Sequence, residues 1–289
     1  MAAQLAEFVT TRSWDHLSEA ARSALKVRVL DALGCAIGAL GAHPVDLLRR
    51  HVEELGGSPA CTLVGGGRTA PDRAALYNGA LVRYLDFNDS YLAPGETCHP
   101  SDNLGAVLAA AEWADTSGRD LLVALAVAYQ VQCRLAEAAP VRSRGFDHTT
   151  HGAYAAAAGV ARALGLDREA TTHALAIAGT ALNALRVTRT GALSHWKGLA
   201  APFAGAAATQ AAFLARQGVT GPAGVFEGVK GFMQAIAGRF EVDWAAEDLE
   251  RVRWTVLKRY NAEIHSQSAL EALLELRAEH GFDPGDVER

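Results

Sequence analysis

The sequence has no closely spaced cysteine pair: Cys35, Cys61, Cys98 and Cys133 stand far apart and form no CxxC. A structural zinc site or an iron–sulfur cluster needs thiolates a few residues apart, so no metal ligand set is expected. A phosphate-cradling glycine loop, a GxSxG elbow and an HExxH are missing too, which removes three common catalytic signatures. Excess basic charge is also lacking. The formal net charge is −5 and the pI about 6.1, which argues against a nucleic-acid partner because no field is available to neutralise phosphates. The N-terminus, MAAQLAEFVTTRSWDHL, shows no basic region followed by an apolar run, so no secretory signal is read there. Reduced thiols and a cytoplasmic setting are expected. The most apolar stretch, 121–139, is interrupted by Gln130, Gln132 and Arg134 and reads as a buried helix, with no membrane span.

What is present is helical periodicity. Half of the 289 residues are apolar, enough for a sizeable core. Leu30, Leu33, Ile37 and Leu40 recur at three- and four-residue steps, as do Leu104, Val107, Leu108 and Ala111. A small-residue helix is expected over 153–165, ending at Gly165, with Asp167 as the N-cap of the next. A further helix is expected near 199–217, with Pro202 in its first turn. Alanine and glycine stand where a bundle would carry leucine, which suits closely approaching helix axes. Strand-like runs are scarce, ACTLVG (60–65) being the best. The glycine-rich tract 218–232 carries apolar anchors and reads as an ordered loop. The expected fold class is all-α, a compact many-helix domain.

Polar residues gather in the connections. The stretch LDFNDSYLAPGETCHPSDN (85–103) puts Asp86, Asp89, Ser90 and His99 into a loop longer than most helix connections, and such loops are often functional. Asp86, Asp89, Ser101 or Asp102 could equally serve as caps. RSRGFDHTTHG (142–152) carries Arg142, Arg144, His148 and His151. LRVTRTGALSHWKG (185–198) holds Arg186, Arg189, His195 and Lys197, and the neighbouring Trp196 and apolar helix suggest that Lys197 is drawn out of water with a lowered pKa. VLKRYNAEIHSQSA (256–269) adds Lys258, Arg259, Glu263 and His265. Glu271 and Glu275 read as a solvated helix face. Separate basic loops around one helical core would suit a small polyanion such as a di- or tricarboxylate. Composition and spacing do not identify a reaction.

These segments resemble the MmgE/PrpD family over essentially the whole chain, from VRVLDALGCAIGA to LKRYNAEIHSQSALEALLELR. Four motifs carry the resemblance: LDFNDS followed by HPSD, the GFDH stretch, TGALSHWKG, and KRYNAEIHSQSA. The last looks most like the bacterial 2-methylcitrate dehydratase branch. In the cis-aconitate decarboxylases the position five after the lysine is usually histidine, whereas here it is Glu263. The resemblance implies a large all-α domain, expected over 1–265, followed by the start of an α/β lid domain at 266–289 that is cut short. It also implies a homodimer and a cofactor-independent hydro-lyase that dehydrates 2-methylcitrate or a citrate-like tricarboxylate. A cis-aconitate decarboxylase, an iminodisuccinate epimerase, or a non-catalytic truncated binding domain are the alternatives. Carried over by position, the family's active-site residues fall on Asp86, Ser90, His99, His148, Lys197 and Lys258, with Arg186, Arg189 and His265 as added substrate contacts. The expectation is that His99, oriented by Asp86, transfers a proton at the reacting carbon. His148 serves the opposite transfer or carboxylate binding, and Ser90 binds substrate.

Overall fold

The computed structural model describes residues 1–288. In chain order it runs through α1 (Ala2–Thr11), α2 (Glu19–Gly38) and α3 (His43–Leu55) into a small antiparallel hairpin, β1 (Cys61–Thr62) with β2 (Arg68–Thr69). Then come α4 (Pro71–Tyr84), a second hairpin of β3 (Tyr91–Ala93) and β4 (Glu96–Cys98), α5 (Leu104–Trp113) and α6 (Gly118–Ala138). The chain continues with α7 (Thr149–Ala163), α8 (Arg168–Ala181), α9 (Trp196–Arg216) and α10 (Gln267–His280). The all-α expectation holds.

Local chemistry sets several helix starts. Ser18, Ser117 and Asp167 accept from the backbone N–H of Ala21, Asp120 and Ala170 and so cap α2, α6 and α8. Gly165 takes a left-handed φ of 65° beyond α7, as expected of a helix-ending glycine. Helix α7 starts four residues ahead of the expected 153, because Thr149–His151 also enter the core.

The core forms where α7 packs against α6, α8 and α9, with α4 and α5 closing the other side. Small residues allow the close approach. A Cβ added to Gly105 of α5 would lie 2.5 Å from the backbone nitrogen of Gly79 in α4, so α5 could not carry a side chain at that crossing. Helix α9 begins at Trp196, ahead of the expected start, and Pro202 lies inside it. The proline ring packs against Gly79 of α4. Helices α6 and α9 are long and apolar enough to cross a bilayer, but most of the apolar stretch of each is buried in this core.

The glycine-rich tract is ordered, anchored by the buried rings of Phe226 and Phe232. Two isolated bridges matter most for function. Ser90 pairs with Val256, and Phe146 pairs with Leu185. The first brings the segment holding Lys258 beside the 85–103 loop, and the second lays the Arg186–Arg189 turn against Asp147. Helix α10 buries none of its side chains.

Candidate active site

The cleft is built on the end of α4. Arg83, in its last turn, is 3% exposed, and its Nη1 donates to Asp86 Oδ1 at 2.5 Å and to Asn88 Oδ1 at 3.1 Å. Asp86 has φ 52°, a left-handed conformation that aspartate adopts more readily than most side chains. That turn presents its carboxylate to two amines as well. Lys197 Nζ lies 3.1 Å from Oδ2; Lys258 Nζ lies 3.3 Å from Oδ1 and also donates to the Asp86 carbonyl. Burial alone would raise the Asp86 pKa, but Arg83, Lys258 and the nearby His99 hold it far below the carboxylate range. Asp86 is therefore an anion that gathers cations, and it is too weak a base to take a proton.

His99 departs from the expected arrangement. Its Nδ1 meets the Asp89 carbonyl at 2.8 Å and Ser90 Oγ at 3.1 Å, so the ring is oriented by these groups rather than by Asp86. A carbonyl only accepts, so Nδ1 carries the proton and Nε2 keeps a free lone pair. The His148 ring stands edge-on to it, centroids 5.3 Å apart. His148 Nε2 is buried and has no partner among the described residues. Burial lowers the pKa of both rings well below the imidazole value, assisted at His99 by Arg83 and His148, and at His148 by Arg189 and Arg83. Both are neutral at pH 7, so neither ring is a ready-made imidazolium donor.

The second wall rests on Asp147, which is fully buried. It accepts from Arg189 Nε at 2.8 Å, from Arg186 Nη1 at 3.4 Å and from the Thr149 N–H at 3.2 Å. Arg189 Nη1 in turn donates to the Lys197 carbonyl, while its buried Nη2 has no partner. The cleft between the walls has a volume of about 240 Å3. Six cationic side chains line it (Arg83, Arg142, Arg186, Arg189, Lys197 and Lys258), against the carboxylates of Asp86 and Glu263. A larger hollow of about 370 Å3 beside Trp244 brings together no histidine, and its Arg168 lies 3.1 Å from Glu7. Among the described residues no three His, Cys, Asp or Glu side chains converge as a metal-binding set.

The structure thus collects Asp86, His99, His148, Lys197, Lys258, Arg186 and Arg189 in one place. Two expected substrate contacts lie outside the cleft lining. Ser90 is fully buried, and its hydroxyl meets His99 from behind. The side chain of His265 is 62% exposed beside Glu263 and does not line the cleft, whereas Glu263 and Ile264 do. Lys197 keeps 37% of its side chain exposed; the lysine withdrawn from water is Lys258, at 1%. Burial lowers the Lys258 pKa, and Asp86 opposes that shift. His151 lies apart, its Nε2 against the Ala139 carbonyl. Glu271 is held by Arg259 and Tyr260. Residue type alone does not single out Arg83 and Asp102 as site residues, although an arginine three residues before Asp86 is a legible pair at a helix end. The same is true of Asp147, just before His148.

The MmgE/PrpD N-terminal domain matches residues 3–245. The 2-methylcitrate dehydratase of Escherichia coli K12 is 33% identical over 275 residues, covering 86% of this chain and 54% of that protein. The mitochondrial 2-methylcitrate dehydratase of Yarrowia lipolytica is 30% identical over 284 residues, 91% of this chain and 54% of its own length. An alkylcitrate dehydratase from a fungal species is 31% identical over 284 residues, with 86% and 53% covered. The chain spans about half the length of the curated relatives it matches. The matched domain, the helical core and the cleft together place it: this chain belongs to the MmgE/PrpD family.

Proposed function

We propose that the cleft binds a citrate-like tricarboxylate and that its reaction is the dehydration of 2-methylcitrate or a close relative. The observation that carries this reading is the enclosure of two neutral imidazoles by six cationic side chains. The cations suit several carboxylates at once, and Arg189 Nη2 and His148 Nε2 are donors or acceptors not yet satisfied within the protein. The names of the relatives support the same acid class.

In this mechanism Arg186, Arg189 and Lys197 hold carboxylates. His99 Nε2 takes the proton from the carbon next to a carboxylate, and its electron pair forms the new double bond. The neighbouring C–O bond breaks with its electrons on oxygen, and the leaving hydroxide is protonated to water. Lys258 is assigned that protonation, since burial makes its ammonium a stronger acid than an exposed lysine. The cations stabilise the charge that builds on the carboxylate during proton removal.

The test mixes the purified chain with 2-methylcitrate, with citrate alongside, and follows ultraviolet absorbance of the conjugated double bond while calorimetry reads binding. Turnover of 2-methylcitrate is expected, falling by about 10²–10⁴-fold in His99→Asn with the fold intact. An active His99→Asn refutes the role of that ring. No binding heat from either acid refutes the reading of the cleft.

A further inference from the structure

Behind the cleft lies a chain of buried polar contacts. Asn88, fully buried, accepts from Arg83 and donates to Asp102 Oδ1 and to Ser101 Oγ, both at 2.9 Å. Asp102 Oδ1 also stands 3.7 Å from Arg83 Nε. Ser101 Oγ in turn donates to Asp89 Oδ1 at 2.6 Å, and the Asp89 carbonyl is the group that orients His99. One network therefore runs from the two lysines, through Asp86 and Arg83, to the imidazole. Neither Asn88 nor Asp102 lines the cleft.

We propose that Arg83 and Asp102 are positioning residues for this site: Asp102, with Asn88, fixes the Arg83 guanidinium, which fixes Asp86, which in turn fixes Lys197 and Lys258. Geometry supports the order. Arg83 Nη1 is shared between Asp86 and Asn88, so the guanidinium cannot shift toward one without leaving the other. Asp86 occupies a backbone conformation unfavourable for a side-chain-bearing residue, and the contacts with Arg83, Lys197 and Lys258 hold it there. A purely structural ion pair would stabilise the fold without setting the electrostatics of the amines. The two roles are separable because the amines can be read directly.

The sequence contains only four lysines, Lys26, Lys197, Lys230 and Lys258, so a chain carrying 13C,15N-lysine gives four side-chain signals whose titration NMR can follow. The proposal rests on the reading of this cleft for its bearing on turnover, but the titration needs neither substrate nor activity. In Asp102→Asn the hydrogen bond from Asn88 can persist while the charge opposing Arg83 is gone. The Lys258 midpoint is expected to fall by about one pH unit, with Lys26 and Lys230 unmoved. Should that variant not fold, Arg83→Met combined with Asp102→Leu removes both charges, a replacement that buried ion pairs often tolerate. There the Lys258 midpoint is expected to rise, because the guanidinium that pushes it down has been removed. A Lys258 curve identical to the parent in either folded variant overturns the proposal. So does a shift shared by all four lysines, which would report a change of the whole fold.

Discussion

Asp147 is sealed from solvent and accepts from two guanidinium groups, whereas Asp86 keeps 31% of its side chain exposed and meets two amines as well as Arg83. Each carboxylate gathers the cations of one wall of the same cleft, yet they organise them differently. Around Asp147 the arginines present planar forks whose remaining N–H groups point elsewhere, a fixed docking surface for carboxylates. Around Asp86 the amines are compact charges on flexible stems, and Lys258 has a lowered pKa that suits proton transfer. On the proposed reading the arginine wall holds substrate, and the Asp86 wall, through Lys258, reacts with it. A net charge of −5 on the chain makes the local reversal of sign at the cleft more telling.

The difference is most exposed by removing each acid. Asp147→Ala leaves Arg186 and Arg189 without their buried counter-ion and the Thr149 N–H without its acceptor. A loss of about 3–5 kcal/mol is expected from denaturant unfolding. Asp86→Asn keeps the shape and an oxygen for Arg83 and the buried Lys258 to bond, and the Asp86 side chain is itself partly exposed, so its stability loss should be smaller, about 1.5–3 kcal/mol, while turnover falls far more steeply than folding. Equal losses of stability would erase the distinction between the walls. The pH dependence sharpens it. The folded pKa of Asp86 is held below its unfolded value, so its contribution is fully present above the ordinary carboxylate pKa and lost as pH falls through the folded one. The stability difference between parent and Asp86→Asn should stay constant from neutral pH down to about 4 and shrink only below it.

The all-helical class, the cap at Asp167 and the stop at Gly165 were legible in the sequence because each depends on near neighbours. The start of α9 was not, since a proline near a helix start reads as a first-turn residue, whereas Pro202 lies inside the helix and packs against Gly79, more than a hundred positions away in the chain. The site divides along the same line. Its chemically capable residues stand out in the loops by type, but type does not reveal direction. Ser90 is turned inward by its bridge to Val256. His265 follows buried Ile264 in a one-turn helix, so the two side chains diverge and the histidine faces water. The carboxylates Asp102 and Asp147 do not stand out in the sequence because a buried acid and a capping acid look alike until their arginines are seen beside them.

The smallest effect expected concerns the two imidazoles, one on each wall. After burial, Arg83 does most to depress the pKa of His99, and Arg189 does most for His148. Each wall's leading cation thus keeps its own ring neutral. A ring with a lowered pKa retains its lone pair as pH falls past 6.5, so a base drawn from this pair stays competent there. The acid limb of kcat/KM, which reports the free protein, is therefore expected below the ordinary histidine range. Once a tricarboxylate occupies the cleft, its negative charges offset the arginines and favour the imidazolium. The acid limb of kcat, which reports the complex, should lie higher than that of kcat/KM. Parallel pH–rate profiles on 2-methylcitrate measure the separation. Limbs that coincide near 6.5 would mean that the rings are hydrated and the cations of both walls too distant to act on them.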